Sequence, residues 1–321
     1  MRTVVLVTAI GTAASTAIVS QLRNAGVYHI IGGDIYQKNQ VATSKDVDEF
    51  YTFPSAIKEL DAYIDYALRF CKEHHVSFYF ATIDEEIANL SKNRDKFEGI
   101  GVSLCIPNHS LVMTCHYKDT FSNWVRDNIP EIYIKRYGSF SEIKDADFPL
   151  FMKPIEGRAS LGCRKIENRG ALESMVSEGG KESDFVIQQY TEGEIVTVDL
   201  IRSAKTGHAC QVQRIELLRN PSGCGIAVET ISDPKLTEIC NQLMEKLDLN
   251  GVVNAEFFRN GNQYKIIEIN PRFSAGTSFS CAAGCDTVIA ALAIAGENDF
   301  ELGKPVVGIH LAKRYETYCL D

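Results

Sequence analysis

Asn254-Ala255-Glu256-Phe257-Phe258-Arg259-Asn260-Gly261-Asn262-Gln263-Tyr264-Lys265-Ile266-Ile267-Glu268-Ile269-Asn270-Pro271-Arg272-Phe273 is the stretch on which the fold turns. Residues 252–258 and 263–269 are rich in β-branched and aromatic side chains, and Asn260-Gly261-Asn262 between them predicts the turn of a β-hairpin. Alternate residues of a strand share a face, so Glu268 and Asn270 point the same way, about 7 Å apart at the backbone. Carboxylate and amide oxygens suit Mg²⁺, which is commonly held by one or two carboxylates plus the phosphates of its nucleotide. Glu256 joins them in one register only. A three-residue loop over Asn260, Gly261 and Asn262 sets Glu256 opposite Ile266 and on the face of Glu268, whereas a two-residue Asn260-Gly261 turn sets it on the other face. One Glu on a hairpin is an ordinary solvated carboxylate; an oxygen-bearing trio closing on Asn270-Pro271-Arg272 points to metal–nucleotide chemistry.

Asn254-Ala255-Glu256-Phe257-Phe258 followed by Ile267-Glu268-Ile269-Asn270-Pro271-Arg272-Phe273 resembles the metal-binding segment of the ATP-grasp superfamily, in particular its carbamoyl-phosphate-synthetase-like branch. The resemblance covers nearly the whole chain. It implies that Glu256, Glu268 and Asn270 bind Mg²⁺, with Mn²⁺ as an alternative, and that Arg272 contacts phosphate or the reacting group.

Upstream, residues 148–154 read as a strand ending in Lys153, and the loop behind it carries Gly157, Arg158, Ala159, Ser160 and Gly162. Small residues let backbone N–H groups approach phosphate oxygens, and a nearby ammonium offsets their charge. The G-K-[ST] ending of a P-loop is missing, so a Walker site is excluded. The resemblance makes this the lysine and glycine-rich loop of an ATP-grasp lid, with Lys153 also catalytic. A helix expected over 109–123 carries Lys118-Asp119, similar to the family's first nucleotide-binding lysine segment. Gln189, Tyr190 and Thr191 lie where the family hinge flanks adenine, and Glu194 where an acid holds ribose. Arg214, Arg219 and Arg272 are candidates for anionic groups, since guanidinium grips carboxylate or phosphate through two parallel hydrogen bonds. Of the three, Arg219 reads rather as a solvated loop residue. Ser274, Gly276 and Thr277 open a segment whose N–H groups and hydroxyls are suited to cradling an anion of the substrate.

With 321 residues, 45% of them hydrophobic, the chain can bury one large core or two modest ones. The expected fold class is α/β: an N-terminal open-sheet, pre-ATP-grasp domain over 1–108, then an ATP-grasp domain over 109–321 with a lid at about 131–190. The opening has βαβ character, with strands over 3–8 and 28–34 and a helix over 16–24, but Gly11 stands outside any G-x-G-x-x-G fingerprint, which argues against a nicotinamide oxidoreductase. Thr82-Ile83-Asp84-Glu85-Glu86 follows a strand end, where it either meets substrate or caps the next helix.

A net charge of −9 gives no broad cationic footprint for nucleic acid or an anionic membrane, so small molecules are the expected partners, and a homodimer is compatible. Ten scattered cysteines and a lack of membrane-length apolar runs fit a reducing cytoplasm, with Cys281 and Cys285 in a packed core rather than a metal site. The expected function is an ATP- and Mg²⁺-dependent ligase joining a small, amino-acid-like carboxylate to an amine or ammonia through an acyl phosphate, forming ADP and phosphate. Bicarbonate or carbamate phosphorylation and a non-catalytic ATP-binding sensor are the alternatives.

Overall fold

The computed structural model describes residues 2–58, 60–154, 162–179 and 181–320. Its first sheet is parallel throughout, with strands β1 (Thr3–Thr8), β2 (Tyr28–Asp34), β3 (Glu49–Thr52), β4 (Phe78–Phe80) and β5 (Ser103–Leu104) in the order β3-β2-β1-β4-β5. Helices α1 (Ala13–Ala25), α2 (Leu60–Glu73), α3 (Asp84–Lys92) and α4 (Arg94–Glu98) connect these strands. Both faces are covered, which is why Val5, Leu6 and Val7 are all buried instead of alternating. The segment before the expected first helix is shorter than its small residues suggest. Thr12 caps α1 by accepting from Ser15 N, and Asp34 anchors the preceding loop by accepting from Gly11 N at 2.9 Å.

The helix expected over 109–123 is two helices, α5 (His109–His116) and α6 (Lys118–Asn128), broken at the extended Tyr117. The break sets Lys118 in the first turn of α6. A four-stranded antiparallel sheet follows, with β6 (Arg136–Tyr137), β7 (Leu150–Pro154), β8 (Arg164–Ile166) and β9 (Phe185–Gln189) in the order β6-β9-β7-β8, and α7 (Arg169–Ser177) packed on it.

The third sheet is antiparallel and six-stranded: β10 (Glu194–Arg202), β11 (Ala209–Arg219), β12 (Gly225–Ile231), β13 (Gly251–Asn260), β14 (Gln263–Asn270) and β15 (His310–Ala312), in the order β14-β13-β10-β11-β12-β15. Its apolar face, with Val196, Val198, Leu200, Ala255, Phe257 and Ile269, packs on Leu236, Ile239, Cys240 and Leu243 of α8 (Pro234–Lys246). Because side chains alternate, the residues between these point to the opposite face, and they are polar. Helices α9 (Thr277–Ala282) and α10 (Thr287–Ala295) close that side, where Val288, Ala291 and Ile294 share a core with Val5, Val7 and Ile18 of the first sheet. Cys285 is buried there and Cys281 half-buried, as the sequence reading expects. Among the described residues, no helix is long and apolar enough to cross a membrane.

Candidate active site

The polar face of the third sheet is ordered by strand register. Arg214 lies opposite Thr197, Thr197 opposite Glu256, and Glu256 opposite Glu268, which puts one residue from each of four strands in a row. A second row, one pleat along, runs Asp199, Asn254 and Asn270. Glu256, Glu268 and Asn270 therefore share a face.

They reach it by a route different from the expected one. Asn260 pairs with Gln263, so the turn has two residues, Gly261 and Asn262, with Gly261 at a φ of +57°. A regular ladder from that turn would set Glu256 opposite Ile267 and on the wrong face. A β-bulge opposite the Glu256/Phe257 step takes up one residue of β14 and restores the pairing with Glu268.

Burial, and next to it the like charge of Glu268, pushes the Glu256 carboxyl above its ordinary value; the nearby Arg219 charge works the other way. Arg219 Nη2 reaches Glu256 Oε2 at 2.8 Å, so this arginine belongs to the site and the solvated-loop reading is corrected. Asn270 Nδ2 donates to Glu268 Oε1 at 3.3 Å, and Asn270 Oδ1 accepts from Arg272 Nη2 at 3.1 Å. Arg272 Nε in turn donates to Asp84 Oδ1 at 2.7 Å. The Thr82–Glu86 segment thus divides. Asp84 meets the site through Arg272, while Glu86 turns into the core, where its buried Oε1 accepts from Thr8, Tyr63 and Tyr79.

Above this floor lies a cleft of about 540 Å³ lined by Lys118, Arg136, Lys153, Glu268, Asn270 and Asp84, among others. Burial pulls the Lys153 ammonium below its ordinary value, Glu268 opposes that, and the charges of Lys118 and Arg136 add to it. Such mutual repulsion among cations around an open space favours an anion between them. Arg136, which donates to Lys118 O at 3.2 Å and pairs with Asp119, was absent from the sequence reading. Its only signal was a basic residue on a short strand, which resembles any solvated edge.

Other candidates lie apart from the cleft lining. Gln189 ends β9 with its N–H on Lys135 O at 2.8 Å; Tyr190 sits under Lys165 Nζ, 4.3 Å from the ring centre; Glu194 is exposed, 3.9 Å from Arg259. Thr191 follows in the connection from β9 to β10. The cleft wall uses Val186 and Gln188 instead. Gly157, Arg158, Ala159 and Ser160 lie outside the described residues. Gly162 itself has a φ of +76°, and a Cβ there would stand 2.9 Å from Pro154 Cγ, so glycine is required on both counts.

Arg214, Ser274, Gly276 and Thr277 do converge. Arg214 is fully buried, and its Nη1 donates to Asp199 Oδ2 at 2.9 Å and to Ser280 Oγ. Burial would raise the Asp199 carboxyl, but the Arg214 charge and hydrogen bonds from Arg214, Ser280 and Asn254 outweigh it and hold Asp199 below its ordinary value. The N–H groups expected to be free are internally satisfied: Gly276 N donates to Ser274 Oγ at 3.0 Å and Thr277 N to Ser274 O at 3.1 Å. Gly276 has a steric role, since a Cβ there would lie 2.8 Å from Arg214 Nη2.

Residues 117–276 match the family described as ATP-grasp domain, and residues 5–105 the one described as PylC-like, N-terminal domain. The chain belongs to the ATP-grasp superfamily. It is 27% identical over 134 residues to 3-methyl-D-ornithine--L-lysine ligase of Methanosarcina mazei, covering 42% of this chain and 34% of that protein. To the carbamoyl phosphate synthase large chain of Clostridium acetobutylicum it is 24% identical over 246 residues, covering 70% and 22%. These matches span about a third or less of the relatives' own length. The biotin carboxylase domain of Hydrogenobacter thermophilus 2-oxoglutarate carboxylase, solved with MgADP and bicarbonate, superposes with a TM-score of 0.71 at 13% identity, over 97% of this chain and 73% of that one. That likeness establishes the ATP-grasp fold.

Proposed function

We propose that this ATP-grasp protein is a ligase that uses ATP and Mg²⁺ to join a small, amino-acid-like carboxylate to an amine or ammonia through an acyl phosphate, releasing ADP and phosphate. The observation that carries this reading is the pairing of Glu256 with Glu268 on the face of Asn270, beneath a cleft lined by Lys118 and Lys153. Two partly buried carboxylates facing each other call for a cation, and their donor set of carboxylate and amide oxygens fits a hard divalent ion completed by phosphate oxygens. Arg219 supplies positive charge to one of them. Held by Glu256, Glu268 and Asn270, Mg²⁺ would supply neutralisation of the β- and γ-phosphate charge.

The side chains divide the remaining work. Lys153 and Lys118 draw the triphosphate into the cleft and hold its charge, with Arg136 beside them, and Gly157, Arg158, Ala159, Ser160 and Gly162 are our assignment for further phosphate contacts. Gln189, Tyr190, Thr191 and Glu194 are our assignment for adenine and ribose. Arg272, fixed between Asn270 and Asp84, directs its remaining donor capacity to the reacting carboxylate or the transferred phosphoryl group. An oxygen of that carboxylate attacks the γ-phosphorus, the bond to the β-phosphate oxygen breaks, and ADP leaves. The amine then attacks the acyl carbon, gives up a proton, and displaces phosphate. Catalysis of this kind rests on positioning and electrostatics and requires no covalent enzyme nucleophile.

ADP release, screened over pairs of acids and amines with hydroxylamine as a trap, tests the reading. A hydroxamate formed with ATP and one acid, without its amine, is expected. ATP binding with no ADP release for any acid would make the protein a sensor and overturn the proposal.

A further inference from the structure

Beyond Glu256, the polar face continues on β11 with Arg214 and then Glu216, two residues along and pointing the same way. Glu216 Oε1 accepts from Thr197 Oγ1 at 2.7 Å, and Thr197 is the residue directly opposite Glu256. The other oxygen, Oε2, is buried without a hydrogen-bond partner among the described residues. It lies over Gly225 of β12, where a Cβ would overlap it, so the neighbouring strand leaves room for this carboxylate to lie flat against the sheet. A buried carboxylate oxygen lacking a donor is costly, and a ligand that brings a donor relieves the cost.

The surroundings say what sort of ligand. Lys313 donates to Ala275 O, stands 4.8 Å from the Phe279 ring, and is close enough to feel the charges of Arg214, Glu216 and Asp199. Over the buried Arg214–Asp199 pair, the wall thus sets Arg219 and Lys313 against Glu216 and Glu256. Positive and negative groups are interleaved, so a ligand bearing one charge of each sign can meet opposite charges at both ends. Glu256 feels the Glu216 charge, so a group docked on Glu216 is within a small molecule's length of the proposed metal site.

We propose that the carboxylate substrate is an amino acid that keeps its amino group as a recognition handle, its ammonium docking on Glu216 Oε2 while its carboxylate lies toward Arg219 and the Glu256–Glu268 pair. This rests on the ligase reading for the site but makes a separate claim: Glu216 selects for an ammonium, and an acid without one is rejected.

Calorimetric titration of the full chain, with Mg²⁺ and a non-hydrolysable ATP analogue, would compare common L-amino acids with their matched 2-hydroxy acids. At least one amino acid should bind roughly tenfold or more tightly than its hydroxy counterpart, because a site built around a buried polar group rejects an analogue that leaves it unmatched. Glu216→Gln should bring that ratio below about threefold while leaving the melting temperature and ATP-analogue affinity unchanged. Equal affinity for amino and hydroxy acids in the unmodified protein would overturn the proposal without reference to any variant. So would a preference that survives Glu216→Gln, or a failure of every amino acid to bind. Glu216-dependent amino-acid binding without ADP release from ATP would keep this inference and remove the ligase reading; ADP release only with acids lacking an amino group would do the reverse.

Discussion

Glu268→Gln keeps the shape of the side chain and removes its charge, so its effects on folding and on turnover should have opposite signs. Directly opposed residues of an antiparallel pair hold their side chains roughly 5 Å apart. Two carboxylates at that spacing repel by 332/(20 × 5), or about 3 kcal/mol, at the effective dielectric constant of a partly buried site. Arg219 offsets part of this through its ion pair with Glu256. Without a ligand, Glu268→Gln should therefore leave stability unchanged or raise it by up to about 1 kcal/mol, read as a shift of the urea midpoint at constant slope. In turnover the same change removes a charge that the site needs. The loss of one such contact costs about 3 kcal/mol, which is on the order of a hundredfold in rate. ADP release at saturating Mg²⁺ measures it. Near-normal turnover would remove Glu268 from the site, and a loss of stability by several kcal/mol would refute the like-charge pair.

Lys153→Ala and Lys118→Ala should both weaken ATP binding by calorimetry, the former more because Lys153 is partly buried and close enough to feel the Glu268 charge; unchanged affinity in both would make these lysines bystanders. Mg²⁺ affinity, followed as a thermal shift, should rise with pH through a titration above the ordinary glutamate value of 4.5, because Glu256 must lose its proton to bind metal and is held above that value. The sign for stability is opposite: a raised carboxyl stabilises the fold at acid pH, and that contribution fades as pH climbs through the folded value. In Glu268→Gln the Mg²⁺ titration should move toward acid, and a titration left in place would contradict the pairing. Arg214→Met should cost about 3–5 kcal/mol by urea denaturation, since it strands the Asp199 carboxylate in the core.

Much of this was legible in the sequence. The acid and amide residues of β13 and β14 carry their chemistry in a short local pattern, and side-chain alternation puts Glu268 and Asn270 on one face whatever the rest of the chain does. The bulge was not legible, because a register shift is set by the fit of the whole strand pair and leaves no fixed residue signature. Lys118 was found by resemblance, yet the helix break at Tyr117 that orients it was hidden inside a continuous helical pattern. Contacts between distant segments were the least visible. Arg272 meets Asp84 across 188 positions and Arg219 meets Glu256 across 37, and nothing local distinguishes such charges from solvated ones. The strand β7 before Lys153, by contrast, was legible from its local apolar run, and its Leu150 and Met152 are buried.

Acyl-phosphate formation requires that a carboxylate oxygen, not water, attacks, and that it attacks the γ-phosphorus of ATP, not the α-phosphorus. With ATP, Mg²⁺ and an acid that supports turnover, the acid labelled with heavy oxygen in its carboxylate should pass one label to the released inorganic phosphate for each ADP formed, as read by mass spectrometry of phosphate. Turnover that leaves the phosphate unlabelled, or that yields pyrophosphate and labelled AMP, would contradict acyl-phosphate formation at this site.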